Sequence, residues 1–122
     1  MEVPERDDPR DRIVIDHRPW GSFTRLAFNE LCTVKLIEVS AGEALSLQYH
    51  HHRDELWMAL DDGLEIQIDD VATLSKAGEF YLVPKGATHR VTAHATAGRF
   101  IEVAYGEFDE HDIVRLEDRY QR

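Results

Sequence analysis

Apolar and polar residues alternate over short stretches along most of the chain, and turn-forming residues interrupt this pattern at close intervals. Alternation with a period of two is typical of half-buried β-strands, and no stretch has the spacing of a long amphipathic helix. Turn signals such as Asp61-Asp62-Gly63 and Pro84-Lys85-Gly86 separate the stretches. The pattern predicts strands at Ile13–Asp16, Ser22–Ala27, Thr33–Val39, Leu45–His50, Glu55–Leu60, Leu64–Ile68, Ala72–Leu74, Phe80–Val83, His89–Ala93 and Arg99–Tyr105.

Strands this short and numerous predict an all-β domain, either a closed barrel or a two-sheet jelly roll, because both protect strand edges. The 122 residues, of which 43% are hydrophobic, fill one core and leave no room for a second domain. The charged residues 1–12 predict a flexible arm before a domain at residues 13–122. The tail from Asp109 to Tyr120 predicts one short helical turn, with Asp109 as its N-cap.

The formal net charge of −10 argues against a nucleic-acid or anionic-membrane partner, because both require a cationic surface. A small anionic ligand fits only where basic groups converge. No apolar run is long enough for a transmembrane span or a secretory signal. The single cysteine, Cys32, cannot form an intrachain disulfide, so we expect a cytoplasmic protein with Cys32 as a small hydrophobic residue.

Side chains that can bind a metal are concentrated around residue 50. In an extended strand at Leu45–His50, Gln48 and His50 lie on the same face. A polar turn follows, and Glu55 opens the next strand, so its carboxylate can return beside them. His89 comes shortly after a tight proline–glycine corner. Two imidazoles, one carboxylate and one amide oxygen make a mixed nitrogen and oxygen site for a divalent ion.

The spacing of these residues resembles the two sequence motifs of the cupin superfamily. The first motif is glycine, five residues, a ligand, one residue, histidine, three or four residues and glutamate. The second is glycine, five residues, proline, any residue, glycine, two residues and histidine. The matching positions are Gly42, Gln48, His50 and Glu55 for the first motif, and Gly78, Pro84, Gly86 and His89 for the second. The resemblance implies a small cupin barrel, with Gln48, His50, Glu55 and His89 as metal ligands.

Three segments narrow the resemblance to one branch. They are Arg-Pro-Trp-Gly-Ser-Phe at residues 18–23, Leu-Ser-Leu-Gln-Tyr-His-His-His-Arg-Asp-Glu at 45–55 and Asp-Ile-Val-Arg-Leu-Glu-Asp-Arg-Tyr at 112–120. In this order they are similar to the type II phosphomannose isomerase (mannose-6-phosphate isomerase) cupin. That domain usually forms the C-terminal part of a bifunctional enzyme that also carries mannose-1-phosphate guanylyltransferase activity. We expect the domain to stand alone here, and Leu56 replaces a histidine that often follows the motif glutamate.

The resemblance implies a sugar-phosphate isomerase that interconverts mannose 6-phosphate and fructose 6-phosphate through an enediolate. It also implies one divalent metal ion, with zinc as our first expectation and manganese, iron, cobalt or nickel as alternatives, and a homodimer. Two other functions stay open. One is a cupin that binds a sugar or small acid without turnover. The other is an iron or manganese oxygenase, since two histidines and a carboxylate can form a facial triad.

Further residues have predicted roles in substrate binding or catalysis. Arg53 matches the family's motif arginine and is predicted to be catalytic and substrate-binding. Lys85, near His89, is predicted to hold the phosphate or stabilise negative charge, and Ser46 to contact a ligand hydroxyl. The proton-transfer base is left open among His51, His52 and a metal-bound hydroxide. Arg115 and Arg119 are interpreted as surface residues paired with Glu117 or Asp118, and Trp20 and Trp57 as packing residues.

Overall fold

Almost every regular element of the chain is a β-strand. The computed structural model describes residues 9–120, so the first eight residues of the predicted arm lie outside the described residues. A 3-10 helix at Pro9–Arg12 comes first. The strands are β1 (Val14–Arg18), β2 (Gly21–Arg25), β3 (Cys32–Val39), β4 (Leu47–Tyr49), β5 (Glu55–Ala59), β6 (Glu65–Ile68), β7 (Val71–Leu74), β8 (Phe80–Val83), β9 (His89–Thr92), β10 (Gly98–Tyr105) and β11 (Val114–Glu117).

Two antiparallel sheets form the body of the fold. The first sheet has the strand order β3-β10-β5-β8, and the second has the order β11-β4-β9-β6-β7. The first two strands form a separate hairpin. Apart from the β6–β7 hairpin, neighbouring strands in each sheet are separated in the chain by at least one other strand, as expected for a jelly roll. The all-β prediction is confirmed, and each predicted strand is present with its ends shifted by no more than two residues.

The main hydrophobic core lies between the two sheets. Its largest side chains are Trp57 and Phe100 of the first sheet. They pack with Ile66 and Val91 of the second sheet and with Leu64, which directly precedes β6. A smaller cluster covers the outer face of the first sheet, where Leu56, Val103 and Tyr105 pack against residues that include Ile13, Leu26 and the half-buried Cys32. Trp57 is therefore a packing residue, as predicted, whereas Trp20 is 73% exposed.

The second motif's corner is tied directly to the first motif. Gly86 has a φ of 83°, a left-handed conformation in which any side chain would be strained. Its amide donates to the carbonyl oxygen of His50 at 2.7 Å. This hydrogen bond holds the Pro84–Gly86 corner against the turn that follows β4. The two segments that carry the predicted ligands are therefore fixed to one another.

The predicted helical turn in the tail is wrong. Asp109 forms only a local turn, with its carboxylate accepting from the His111 amide at 2.9 Å. The chain then becomes extended as β11, which pairs with β4 so that Val114 lies opposite Tyr49 and Arg115 opposite Gln48. A single helical turn is marginal in water, whereas the edge of the second sheet offers backbone partners to the β-branched residues here.

Within residues 9–120 no helix has the length and apolar character needed to cross a membrane.

Candidate metal centre

Three buried side chains with metal-binding atoms meet between the sheets. They are His50 after β4, Glu55 at the start of β5 and His89 at the start of β9, and their ligand atoms all lie within 4.8 Å of one another. Gln48 on β4 pairs directly with His89. Its Nε2 atom is 3.4 Å from Nε2 of His50 and 3.3 Å from Nε2 of His89. The structure therefore brings the four predicted ligands together.

Each imidazole is oriented by a backbone carbonyl. Nδ1 of His50 lies 2.6 Å from the Asp112 carbonyl oxygen, and Nδ1 of His89 lies 3.1 Å from that of Ala87. A carbonyl only accepts, so Nδ1 carries the proton in both rings and Nε2 presents its lone pair inward. Burial lowers the pKa of His50 and that of His89. Neutral imidazoles whose other nitrogen donates to a carbonyl are the usual metal-binding form of histidine.

Glu55 supplies the carboxylate of the site. Its Oε2 accepts from Arg53 Nε at 2.9 Å, and its Oε1 accepts from Trp57 Nε1 at 3.1 Å. Burial alone would raise the pKa of Glu55. Electrostatic interactions with His89 and His50, together with the hydrogen bond and charge of Arg53, outweigh burial and lower the pKa overall. The carboxylate is therefore ionised.

The donor set fits a divalent metal. Ligand atoms about 2.0–2.2 Å from one ion lie roughly 3–3.5 Å apart, and Nε2 of His50 is 3.6 Å from Oε2 of Glu55. The amide of Gln48 completes the set, because a 180° rotation directs its Oε1 to the imidazole nitrogens. Its present partner Ser46, whose Oγ donates to Oε1 at 2.6 Å, can instead accept from Nε2. Ser46 is therefore a buried support for Gln48 in either orientation.

A cavity of about 440 Å³ opens beside these ligands. The first sheet contributes Lys35 and Glu102 to its wall, and the second sheet contributes Ser46, Gln48 and Arg115. The segment between β10 and β11 closes one side with Phe108, Glu110, His111 and Ile113. Cavities of this size hold small organic ligands, so the site has room for a substrate next to the metal-binding atoms.

Glu102 is a cavity residue that sequence reasoning missed. It lies on β10 opposite Trp57 of β5 and Lys35 of β3, and it is buried. Burial, the charge of Glu55 and a hydrogen bond between the two carboxyl groups raise the pKa of Glu102 to about 8. Glu102 therefore carries a proton at neutral pH. The available signal was its position in β10, where a glutamate shares the inward face with the buried Phe100 and Ala104.

Arg53 lies in the wall of the same cavity and is buried. Besides its bond to Glu55, it donates from Nη1 to the Asp109 carbonyl at 3.2 Å, and its Nη2 is 3.2 Å from Nε2 of His50. Its guanidinium lies 4.4 Å from the centre of the Phe108 ring. The predicted catalytic arginine is therefore next to the candidate metal ligands.

Lys85 lies elsewhere. It is exposed and lines a separate cavity of about 320 Å³ with Asp54 and His52. The backbone amide of Lys85 donates to Asp54 Oδ1 at 2.8 Å. Closeness in sequence to His89 therefore did not place the Lys85 side chain in the cavity beside the candidate ligands.

His51 and His52 are also exposed and do not line the cavity beside the ligands. Their backbone amides instead donate to the two carboxylate oxygens of Asp112 at 2.9 Å each. Burial raises the pKa of Asp112, and these two hydrogen bonds outweigh it and lower the pKa overall. The histidines thus contribute to the site through their backbone, by holding the residue whose carbonyl orients His50.

The interpretation of the tail arginines as partners of Glu117 or Asp118 is wrong. Glu117 pairs with Arg90 at 3.1 Å, and Arg119 donates to the Gly42 carbonyl at 2.9 Å. Arg115 has no hydrogen bond or ion pair within residues 9–120 and instead lines the cavity. It was misplaced because its strand was predicted as a helical turn.

The chain is similar to known proteins over most of its length. Residues 7–118 match the family described as "Mannose-6-phosphate isomerase C-terminal". The mannose-1-phosphate guanylyltransferase ManC of Salmonella typhimurium is 38% identical over 111 residues, which cover 87% of this chain and 22% of that protein. The chain thus spans about a fifth of the length of such curated relatives.

Solved structures show the same fold at low sequence identity. The capsular polysaccharide assembling protein CapF from Staphylococcus aureus superposes with a TM-score of 0.64 at 19% identity, over 87% of this chain and 34% of CapF. A cupin 2 conserved barrel domain protein from Rhodopseudomonas palustris gives a TM-score of 0.61 at 18% identity, over 67% of this chain and 57% of that protein. The chain therefore has a cupin fold and belongs to the mannose-6-phosphate isomerase C-terminal family.

Proposed function

We propose that this domain is a metal-dependent sugar-phosphate isomerase that interconverts mannose 6-phosphate and fructose 6-phosphate. One observation carries the proposal: a cavity of about 440 Å³ is lined by Gln48 and Glu55 of the buried metal-type donor set and by a buried, proton-carrying carboxyl group, Glu102. Family membership supports this substrate pair.

The candidate ligands Gln48, His50, Glu55 and His89 fit one divalent ion. Such an ion, when bound, supplies Lewis acidity towards a sugar carbonyl and the neighbouring hydroxyl group. We propose zinc, and manganese, iron, cobalt and nickel also accept nitrogen and oxygen ligands of this kind.

Glu102 is the residue that we propose for proton transfer. Aldose–ketose interconversion moves a proton between neighbouring carbon atoms, and a group with a pKa near the working pH does this best. Burial raises the pKa of Glu102 to about 8, whereas the neighbouring Glu55 stays ionised. Two carboxyl groups held at different protonation states by their surroundings are a recurrent pattern in acid–base catalysis. His51 and His52 are exposed and do not line this cavity.

Arg53 is suited to binding an oxygen atom that gains negative charge during the reaction. Glu55, Phe108 and the Asp109 carbonyl hold its guanidinium in place. A preorganised donor of this kind stabilises developing charge without having to reorient. It is also close enough to His50 Nε2, at 3.2 Å, to act next to the candidate metal ligands.

Leu56 does not weaken the proposal. Its side chain belongs to the cluster on the outer face of the first sheet, with Val103 and Tyr105. The histidine that often follows the motif glutamate would therefore point away from the cavity at this position. The replacement of that histidine by Leu56 affects only packing in the outer cluster, next to Ile13 and Leu26.

The test is to load the purified protein separately with zinc, manganese, cobalt, nickel and iron, and to follow conversion of mannose 6-phosphate by NMR. We expect turnover with at least one metal, and a fall of roughly 10²- to 10⁴-fold in kcat for Glu102→Gln. Glu110→Gln, which changes an exposed glutamate of the same cavity, is the matched control. Absence of turnover despite stoichiometric metal would refute the isomerase and favour a binding module, and oxygen uptake with iron would favour an oxygenase.

The metal centre has its own test. His50→Ala and His89→Ala should each lose zinc binding while the protein stays folded, because each removes a lone pair that faces the site. His94→Ala is the matched control, since His94 is exposed and pairs with Glu65. Metal content is measured by inductively coupled plasma mass spectrometry and folding by circular dichroism. Unchanged zinc content in either folded variant would refute the site.

A further inference from the structure

The cavity has a buried end and an exposed end. The candidate metal ligands lie at the buried end, where His50 and Glu55 are each 2% exposed. The exposed end lies between β3 and β11, each of which is the outermost strand of its sheet. Lys35 of β3 and Arg115 of β11 line the cavity from these two edges, and both are exposed.

Strand register directs both side chains towards the cavity. Lys35 lies opposite Glu102 in the pairing of β3 with β10, and Arg115 lies opposite Gln48 in the pairing of β11 with β4. Directly paired residues project from the same face of a sheet. Each cation is therefore one strand away from an inward-facing residue of the candidate site.

Neither cation forms an ion pair with a carboxylate in the described part of the chain, although the charge of Lys35 acts on Glu102, the residue opposite it. The charge of Arg53 is already paired with Glu55 at 2.9 Å. Lys35 and Arg115, by contrast, have no hydrogen bond or ion pair within residues 9–120, although Lys35 Nζ lies 4.2 Å from the centre of the Phe108 ring. Glu110 also lines the cavity, but it is exposed, so solvent screens its charge. In a protein with a formal net charge of −10, an anionic ligand needs such a local cluster.

We propose that Lys35 and Arg115 bind the phosphate group of the substrate at the exposed end of the cavity. This inference rests on the proposed function and gives these two residues the role that sequence analysis assigned to Lys85. The arginine offers a planar fork that matches phosphate oxygens, and the lysine adds a point charge. Phe108 positions the lysine through a cation–π contact. The sugar carbonyl is then directed towards the buried end, where the candidate metal ligands lie.

The experiment compares two ligands that differ by a phosphate group, 6-phosphogluconate and gluconate. Their binding to the zinc-loaded protein is measured by isothermal titration calorimetry. We expect the wild type to prefer 6-phosphogluconate. Lys35→Met and Arg115→Gln should each weaken 6-phosphogluconate binding about 10- to 100-fold, as expected for loss of a hydrogen bond to a charged group. Gluconate binding should stay within about twofold of the wild type, since the removed side chains contact only the phosphate.

Matched variants separate this effect from a general loss of positive charge. Lys76→Met and Lys85→Met remove the other two lysines of the chain, and Arg99→Gln removes an exposed arginine paired with Asp61. All three should bind both ligands as the wild type does. Zinc content and thermal unfolding confirm that each variant is folded, and Arg115→Lys should recover part of the lost affinity.

Three results would overturn the proposal: a wild type that does not prefer 6-phosphogluconate, an equal loss for both ligands in the Lys35 and Arg115 variants, or the same loss in Lys85→Met. Failure of the isomerase activity is distinguishable. The protein could prefer 6-phosphogluconate through Lys35 and Arg115 and still not convert mannose 6-phosphate. That result would support the phosphate site and refute the isomerase. Conversion of mannose 6-phosphate with an unchanged KM in a protein that carries both Lys35→Met and Arg115→Gln would support the isomerase and overturn the phosphate site.

Discussion

Asp112 connects the C-terminal segment to the candidate metal centre. Its backbone carbonyl accepts from His50 Nδ1 at 2.6 Å, and its two carboxylate oxygens accept from the amides of His51 and His52 at 2.9 Å. Replacing the side-chain carboxylate keeps the backbone carbonyl of Asp112. It removes the two hydrogen bonds from the amides of His51 and His52, which hold that carbonyl in position. We therefore predict that Asp112→Ala weakens both the fold and zinc binding.

The size of both effects follows from these contacts. A hydrogen bond to a charged group contributes about 1.5–3 kcal/mol, and two such bonds are lost. His51 and His52 are exposed, so water can partly replace the carboxylate, and we expect a loss of about 2–3 kcal/mol in the free energy of unfolding. Removing a group that orients a ligand commonly weakens metal binding 10- to 100-fold, which is about 1.4–2.7 kcal/mol. Asp112→Asn should be nearly as damaging, because its amide nitrogen would face a backbone donor.

Urea unfolding of the metal-free protein measures the first effect, and competition with a chromophoric zinc chelator measures the second. Asp109→Ala is the matched control in the same segment, since its exposed carboxylate accepts only from the His111 amide among residues 9–120. A destabilised Asp112→Ala protein with wild-type zinc affinity would refute the argument that this residue orients His50. Unchanged stability would refute the contribution of the two amide bonds.

Two further predictions concern packing in the two hydrophobic clusters. Burial raises the pKa of Tyr105 from its usual 10 to about 12, so the fold favours the neutral phenol, whose hydroxyl donates to the Leu26 carbonyl at 2.8 Å. The free energy of unfolding should therefore fall as pH rises from 10 to 12. Tyr105→Phe should remove this fall in pH-dependent urea unfolding, and an equal fall in the variant would contradict the assignment. A Cβ atom on Gly98 would lie 2.6 Å from Cγ and Cδ2 of Leu64, so Gly98→Ala should cost about 1–3 kcal/mol in urea unfolding; wild-type stability would mean that Leu64 can move aside.

The strands were predictable because their alternation is a local property. The tail was not, because Val-Arg-Leu-Glu at residues 114–117 fits one turn of helix or a short strand equally well. The choice is decided by the free edge of β4, which lies far earlier in the chain. Arg115 was misread for the same reason, since only pairing with β4 turns its side chain towards the cavity.

The four candidate ligands were predictable because their spacing is fixed within two short motifs. Glu102 and Lys35 were not, since their shared face depends on the register of β10 against β3, which no local pattern specifies. Lys85 shows the opposite error. It is close to His89 in sequence, but the corner between them directs it to another cavity.

The strand order also determines when the metal centre can form during folding. β3 pairs with β10, and β4 pairs with β11, so each contact closes a long loop. Topologies dominated by such contacts fold in milliseconds to seconds, because loop closure precedes the pairing that compensates it. His50 is oriented by Asp112, just before the last strand, so the donor set is complete only once β11 has docked. A metal ion at the candidate centre would therefore bind only the folded barrel, and we expect it to slow unfolding much more than it speeds folding.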